Sequence, residues 1–179
     1  MEIKETKLHG VLLLRPKVFR DERGFFLESW NKRAFDEAVA REVEFVQDNH
    51  SRSVNGVLRG LHYQTAPMAQ AKLITVMRGR IFDVAVDLRS GSPTHGCWVG
   101  EILTGEDREM LWIPEGFAHG FLVLSESADV VYKATNFYSP AHERCIRWDD
   151  TDLGILWPRE VEHLKISPKD QAGAPYACS

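Results

Sequence analysis

Apolar residues along this chain come in short runs rich in Val, Ile, Phe and Trp, punctuated by Gly, Pro, Asn or Ser. Runs of that length and composition predict strands. The clearest is residues 82–88, where Phe82, Val84, Val86 and Leu88 alternate with Asp83, Ala85 and Asp87. A period of two puts the apolar four on one face and both carboxylates on the other, as in a half-buried strand. Further strands are predicted over 11–15, 24–30, 57–64, 72–77, 98–103, 118–124 and 130–136. One segment, 31–41, reads as a helix, with Asn31 as N-cap and Phe35, Ala38 and Val39 at helical spacing. From Pro158 onward Pro, Gly and charges mix, which predicts coil with a short helical turn. The pattern implies an all-β sandwich or barrel with few short helices. With no repeat, low-complexity tract or linker, residues 1–179 are expected to form one domain.

Composition narrows the function classes. With 179 residues, 44% hydrophobic and 27% charged, the chain can build a core, and disorder and collagen-like repeats are excluded. Lys plus Arg total 22 against 26 Asp plus Glu, a net charge of -4, so no nucleic-acid partner is expected. An anionic ligand must instead meet a local basic cluster. Apolar stretches such as Val11-Leu12-Leu13-Leu14 end far short of the ~20 residues of a membrane helix. No apolar segment follows a basic start, so a cytoplasmic location is expected. Cys97, Cys145 and Cys178 are odd in number and lack C-x-x-C spacing, which argues against a disulfide framework and a Cys-rich zinc site.

Two segments place titratable groups on predicted strands. They are Gly56-Val57-Leu58-Arg59-Gly60-Leu61-His62-Tyr63-Gln64 and Pro114-Glu115-Gly116-Phe117-Ala118-His119-Gly120-Phe121. On residue type alone, a His on an apolar strand is ordinarily a hydrogen-bonded core residue. Together, however, the segments resemble the two motifs of the cupin superfamily, G-x5-H-x-H and P-x-G-x2-H, which converge inside a jelly-roll β-barrel. Here Gln64 replaces the second His, and no acid follows where the metal-binding pattern places a Glu. A metal needs several well-placed N or O ligands, so no metal is expected and His62 is free to act as a base.

More of the chain carries a closer resemblance. The blocks are Arg20-Asp21-Glu22-Arg23-Gly24-Phe25-Phe26-Leu27-Glu28-Ser29-Trp30, Gln47-Asp48-Asn49-His50-Ser51, residues 57–64, residues 114–121, Tyr132-Lys133-Ala134-Thr135-Asn136-Phe137-Tyr138-Ser139-Pro140 and Ser167-Pro168-Lys169-Asp170. In this order, across nearly the whole chain, they resemble the dTDP-4-dehydrorhamnose 3,5-epimerase family. The resemblance implies a cofactor-free homodimer of cupin jelly-roll type. It would invert the two carbons flanking the keto group of a dTDP-4-keto-6-deoxyhexose.

Inversion beside a carbonyl needs a base, an acid on the opposite face and a cation near the enolate oxygen. The resemblance assigns the base to His62, with Asp170 behind it, the acid to Tyr132 and the cation to Lys72. It places Arg23, Arg59 and Lys169 at the diphosphate, where Arg forks and a Lys charge suit phosphate oxygens. Gln47, Asp48 and Asn49 fall in a binding segment, the amides being able to pair with a pyrimidine edge. Tyr138 would stack on the base, His119 would stand beside the sugar, and Glu28 and Glu143 fall at polar contact positions. Without the resemblance, Asp170 reads as a tail residue, Lys72 as a strand-end lysine and Tyr132 as packing.

Arg59 and His62 have opposite parity and would face opposite sides of an ideal strand. A shared pocket therefore demands a bulge or twist, and Gly60 is the place for it. Three rival readings stay open: epimerisation at one carbon only, a metal cupin using His62, Gln64 and His119, and a sugar-nucleotide-binding module without catalysis.

Overall fold

The computed structural model describes residues 1–178, with the Cys178 side chain and Ser179 outside that description. It is mostly strand, in the order β1 (Glu2–Glu5), β2 (Leu12–Arg15), β3 (Val18–Asp21), β4 (Gly24–Leu27), α1 (Lys32–Val39), β5 (Gln47–Val54), β6 (Val57–Gln64), β7 (Lys72–Arg78), β8 (Arg80–Asp87), β9 (Trp98–Thr104), β10 (Met110–Ile113), β11 (Phe117–Val123), β12 (Ser127–Ala134), β13 (Glu143–Cys145), β14 (Lys165–Ile166) and α2 (Pro168–Gln171). One sheet runs β1-β2-β10-β7-β12-β5, a second β13-β6-β11-β8-β9, and β3 and β4 form a separate hairpin. Pairing is antiparallel except for β14, which joins β6 in parallel. The sheets do not close into a barrel. The all-β jelly-roll expectation is met as an open sandwich with few short helices.

Three apolar layers hold the sandwich. Between the sheets, Leu13, Ile74, Val76, Leu111 and Val130 of the first pack with Ile81, Ala85, Phe117, Phe121 and Val123 of the second. Outside the first sheet, Phe35 of α1 joins Trp112, Leu73 and Leu14, with Trp30 and Phe45 alongside. The predicted helix is present at Lys32–Val39, and Asn31 caps it by accepting from the Ala34 N–H at 3.1 Å. Outside the second sheet, the C-terminal segment lays Leu153, Ile155, Trp157 and Ile166 over Leu61, Val84, Leu58 and Leu122.

That outer cover corrects the expectation of a half-buried strand over 82–88. The strand is Arg80–Asp87, and Asp83, Val84, Ala85, Val86 and Asp87 are all fully buried. The two carboxylates do share a face, but it is the interior one, alongside Ile81 and Ala85. Other bounds also shift. The strand expected over 24–30 ends at Leu27, and that expected over 130–136 spans Ser127–Ala134. The polar strand β5 has no counterpart in the sequence pattern, because Gln, Asp, Asn and Ser are weak strand formers. It exists through eight residue pairs with β12.

The irregularity expected at Gly60 is present. His119 pairs with His62 and Phe121 with Arg59, so three steps along β6 match two along β11. Val57 faces the interior and Leu58 the outer cluster, while Leu61 and Tyr63 again face outward. The extra residue therefore sends Arg59 and His62 inward together. Gly60 has φ +116°, and a Cβ there would lie 2.5 Å from the Gly120 Cα and 2.6 Å from the His119 carbonyl oxygen. Side chains rarely adopt that φ, and here none would fit.

Gly60→Ala is expected to destabilise the fold by about 2–4 kcal/mol in urea unfolding. Gly24→Ala is the control, since Gly24 has φ +128° and a Cβ added there would meet nothing within 4 Å. It should cost only the backbone share, about 1–2 kcal/mol. Equal losses would show that close packing against β11 is not what requires Gly60.

Candidate active site

The interior of the sandwich is apolar at one end and polar at the other. The cleft at the polar end has a volume of about 90 Å³ and is lined by His62, Tyr63, Gln64, Gln70, Lys72, Tyr132, Tyr138 and Glu143. His62 arrives from β6 in the second sheet, whereas Lys72 and Tyr132 arrive from β7 and β12, neighbours in the first. The cleft is thus approached from both sheets.

Behind His62 stands Asp170, which follows Pro168-Lys169 in α2 and is buried. Ser167 caps that turn by accepting from the Asp170 N–H at 3.1 Å. His62 Nε2 and Asp170 Oδ1 are 2.6 Å apart. Burial alone would raise the Asp170 carboxyl. Hydrogen bonds from His62, Ser167 and the Gly60 N–H outweigh it and hold the group below its ordinary value. An ionised carboxylate only accepts, so the imidazole N–H sits on Nε2 and the lone pair on Nδ1. That is the tautomer a base needs.

Lys72 is half-buried and donates to the His62 carbonyl oxygen at 3.3 Å. Burial pushes its ammonium down to about 8, with Asp83 and Glu143 pulling the other way. Burial likewise raises the Tyr132 phenol, Arg59 opposing and Glu143 reinforcing, so it remains a proton donor at neutral pH. Arg59 reaches across the sandwich, its Nε donating to Ser53 Oγ on β5 at 3.1 Å.

At the mouth, Glu143 Oε2 accepts from Tyr138 Oη at 2.7 Å and from Lys169 Nζ at 2.6 Å. Burial would raise Glu143, but these two donors hold it below its usual value. The Tyr138 N–H donates to Gln47 Oε1 at 2.9 Å, and Gln47 Nε2 donates to Asn49 Oδ1 at 3.0 Å. Asn49 Nδ2 is buried and, among the described residues, has no hydrogen-bond partner. An unpaired buried donor is costly, so a ligand acceptor there would relieve it.

Other candidates lie apart from the cleft. His119 is buried and does not line it; its Nε2 lies 2.9 and 3.0 Å from the two Asp83 carboxylate oxygens. Asp48 is exposed on the outer face of β5 and accepts from Lys133 Nζ at 3.0 Å. Arg23 sits on the exposed β3–β4 hairpin, donating to Asp21 at 3.1 Å, and Glu28 is exposed just beyond β4. A single chain does not bring Arg23, Glu28 or Asp48 to His62.

Gln64 plays a part that residue type did not reveal. Its Nε2 donates to the carbonyls of Met68 at 2.6 Å and Phe137 at 3.1 Å, while its Oε1 accepts from the Ser139 N–H at 2.7 Å. The amide is spent on the two loops flanking the cleft, including the one that carries Tyr138. Of a His62, Gln64 and His119 set, the Gln64 amide is thus engaged by the loops and His119 Nε2 by Asp83, while His62 keeps the lone pair of Nδ1. The signals in the sequence are the Gln at the second-His position and the carboxylate face of β8. Chemically, the cleft combines an oriented base, a protonated phenol and a cation.

Comparison with known proteins bears on what this arrangement serves. A family model described as dTDP-4-dehydrorhamnose 3,5-epimerase matches residues 5–177. The chain is 56% identical over 176 residues to a dTDP-4-dehydrorhamnose 3,5-epimerase of Shigella flexneri, covering 98% of this chain and 96% of that protein. To the protein of the same name from Pseudomonas aeruginosa it is 55% identical, covering 99% and 97%. Among solved structures, the Legionella pneumophila dTDP-6-deoxy-D-glucose-3,5-epimerase in complex with dTDP-4-keto-L-rhamnose superposes with a TM-score of 0.92 at 50% identity, over 96% of this chain and 90% of that one. The chain belongs to the dTDP-4-dehydrorhamnose 3,5-epimerase family, a family of isomerases.

Proposed function

We propose that this chain converts dTDP-4-keto-6-deoxy-D-glucose to dTDP-4-keto-L-rhamnose, inverting C3 and C5 in turn, on a route to dTDP-L-rhamnose. One observation carries the reading: the oriented base His62 and the phenol of Tyr132 reach a common cleft from opposite sheets. Inversion needs removal of a proton from one face of the ring and delivery to the other. His62 Nδ1 takes the proton alpha to the C4 ketone while Asp170 stabilises the imidazolium. Lys72 faces the enolate oxygen, and the Tyr132 hydroxyl reprotonates the carbon. Rotation of the sugar presents the second carbon to the same pair.

For the nucleotide, Tyr138 offers an exposed ring for the base, and Gln47 and the unpaired Asn49 amide offer polar contacts. Arg59 and Lys169 serve the diphosphate, and Glu143 holds Tyr138 and Lys169 in place. His119, paired with Asp83, supports the sugar end from below. No resident cofactor or metal is required by this chemistry.

The chain works as a homodimer in this reading. A cleft of about 90 Å³ is well below the ~300 Å³ of ordinary ligand sites. The β3–β4 hairpin leaves Phe19 and Phe26 53% and 71% exposed beside Arg23. A second copy receiving that hairpin would cover the rings and bring Arg23 and Glu28 to the cleft. The free thiols Cys97 and Cys145 suit a reducing compartment, which supports the cytoplasm.

The central test is proton NMR of dTDP-4-keto-6-deoxyglucose in heavy water. Wild type is expected to exchange the signals at C3 and C5, and His62→Ala to slow both by about 10²–10⁴-fold. Exchange at one carbon would reduce the activity to a single epimerisation, and none at either would refute it. Phe26→Asp should yield a monomer with at least tenfold lower turnover; full activity in a monomer would refute the shared site.

Lys72 should trade stability for function. Its folded pKa lies below the unfolded value of about 10.4, so the unfolded chain binds the extra proton between about pH 8 and 10. Stability attributable to this site therefore rises with pH across that window, and at pH 7 the charge is a burden. Lys72→Met is expected to raise urea stability at pH 7 by about 1–3 kcal/mol, a gain that shrinks by pH 10. The same variant should lose about 10²–10³-fold in turnover.

A further inference from the structure

A third group stands beside the His62–Asp170 pair that the proposed chemistry does not use. Cys145 on β13 is the direct cross-strand partner of His62 on β6. Its Sγ lies 3.9 Å from Asp170 Oδ1, and the donor atoms of His62, Cys145 and Asp170 all fall within 4.8 Å of one another. Three separate elements, β6, β13 and α2, thus aim an imidazole nitrogen, a sulfur and a carboxylate oxygen at one point.

Nitrogen, sulfur and oxygen are the donor set of zinc-class ions. Such ions bind at about 2.0–2.3 Å, which in a tetrahedron separates the donors by about 3.3–3.7 Å. From the present spacing, His62 and Asp170 would part by about 1 Å and Cys145 would close on Asp170 by less than that, movements within the reach of side-chain torsions. A water from solvent would supply the fourth ligand, behind the imidazole rather than in the cleft.

We propose that His62, Cys145 and Asp170 form an inhibitory site for a zinc-class divalent cation. Occupancy is incompatible with the base. A cation on Nε2 displaces the hydrogen bond to Asp170 and leaves the imidazole proton on Nδ1, the atom that must be bare to accept a proton from the sugar. The Cys145 thiol gives its proton to solvent as sulfur binds the ion. Inhibition is therefore a tautomer lock, and the ion is a regulator in this role and no participant in the reaction. The inhibitory part rests on the function proposed above; the binding part does not.

The test is equilibrium dialysis of ZnCl2 against chelator-treated wild type, Cys145→Ala and Cys145→Ser, with NMR exchange activity followed on the same samples. Cys145 does not line the cleft, so both variants should keep their basal activity. Wild type is expected to bind one ion per chain, to lose activity in step with occupancy and to recover it with EDTA. Cys145→Ala should bind at least tenfold more weakly and need correspondingly more zinc for the same inhibition. Cys145→Ser keeps the volume of the side chain, so weaker binding there cannot be laid to a packing defect. Equal zinc affinity in all three proteins, or no stoichiometric ion on wild type at a tenfold excess over protein, would overturn the site. Binding without loss of activity would overturn the inhibition. Absence of activity in zinc-free buffer would count against the function alone, since dialysis still decides the binding.

Discussion

Side chains alternate along a strand, so a regular β6 would send Arg59 and His62 to opposite faces of the second sheet. The extra residue at Gly60 sends both inward, and the polar end of the sandwich follows from it. The Gly60 N–H also helps hold the Asp170 carboxyl below its ordinary value, so the bulge bears on His62 directly and through its partner. It also lets β6 approach β11 so closely that Gly60 and Gly120 leave no room for side chains. Backbone geometry at one position thus sets which residues face the cleft, how the imidazole is turned and how tightly the two strands pack.

Bringing charge between two sheets costs free energy, and the molecule meets that cost unevenly. Asp170 faces His62, Asp83 faces His119, and Asp87 lies under Arg89 with Ser92 and Thr94 adding hydrogen bonds. Each buried carboxylate therefore has donors that replace water. Among the described residues Lys72 has one hydrogen bond, to a backbone carbonyl, and its nearest carboxylates act at longer range. A half-buried cation so poorly compensated is out of place in a stability argument. It is in place where negative charge develops on an oxygen during the proposed reaction, because a fixed positive charge in a site with little water acts strongly.

Much of this arrangement is legible in the sequence, and for stated reasons. Alternation places Asp83 and Asp87 on one face, and the opposite parity of Arg59 and His62 points to Gly60. The capping of α1 by Asn31 follows from residue type. What cannot be read is what covers each face. Residues 82–88 alternate as a half-exposed strand does, yet the C-terminal segment buries the outer face as well, and nothing local announces a cover from about 70 residues away. Strand β5 escapes a sequence reading because its residues favour loops, and only pairing with β12 makes it a strand. Asp170, a tail residue by composition, becomes a candidate through resemblance alone. Its burial depends on β14, the Ser167 cap and the parallel bridge at Ala174, which are set by long-range contacts.

Gln64 shows how one substitution within a shared motif can redirect a site. A second imidazole at this position would offer a nitrogen lone pair to the interior. An amide offers two N–H donors and a carbonyl, and here all are directed to backbone groups of the loops around Met68 and Phe137–Ser139. Those loops carry Tyr138, which in turn meets Glu143 and Gln47. The residue that in a metal cupin would hold an ion therefore holds the rim of the cleft. With His62 turned by Asp170, the positive charge for the proposed enolate must come from elsewhere in the fold, and Lys72 is the cation that lines the same cleft. The replacement of one imidazole by an amide and the tolerance of a poorly compensated lysine are two sides of the same arrangement.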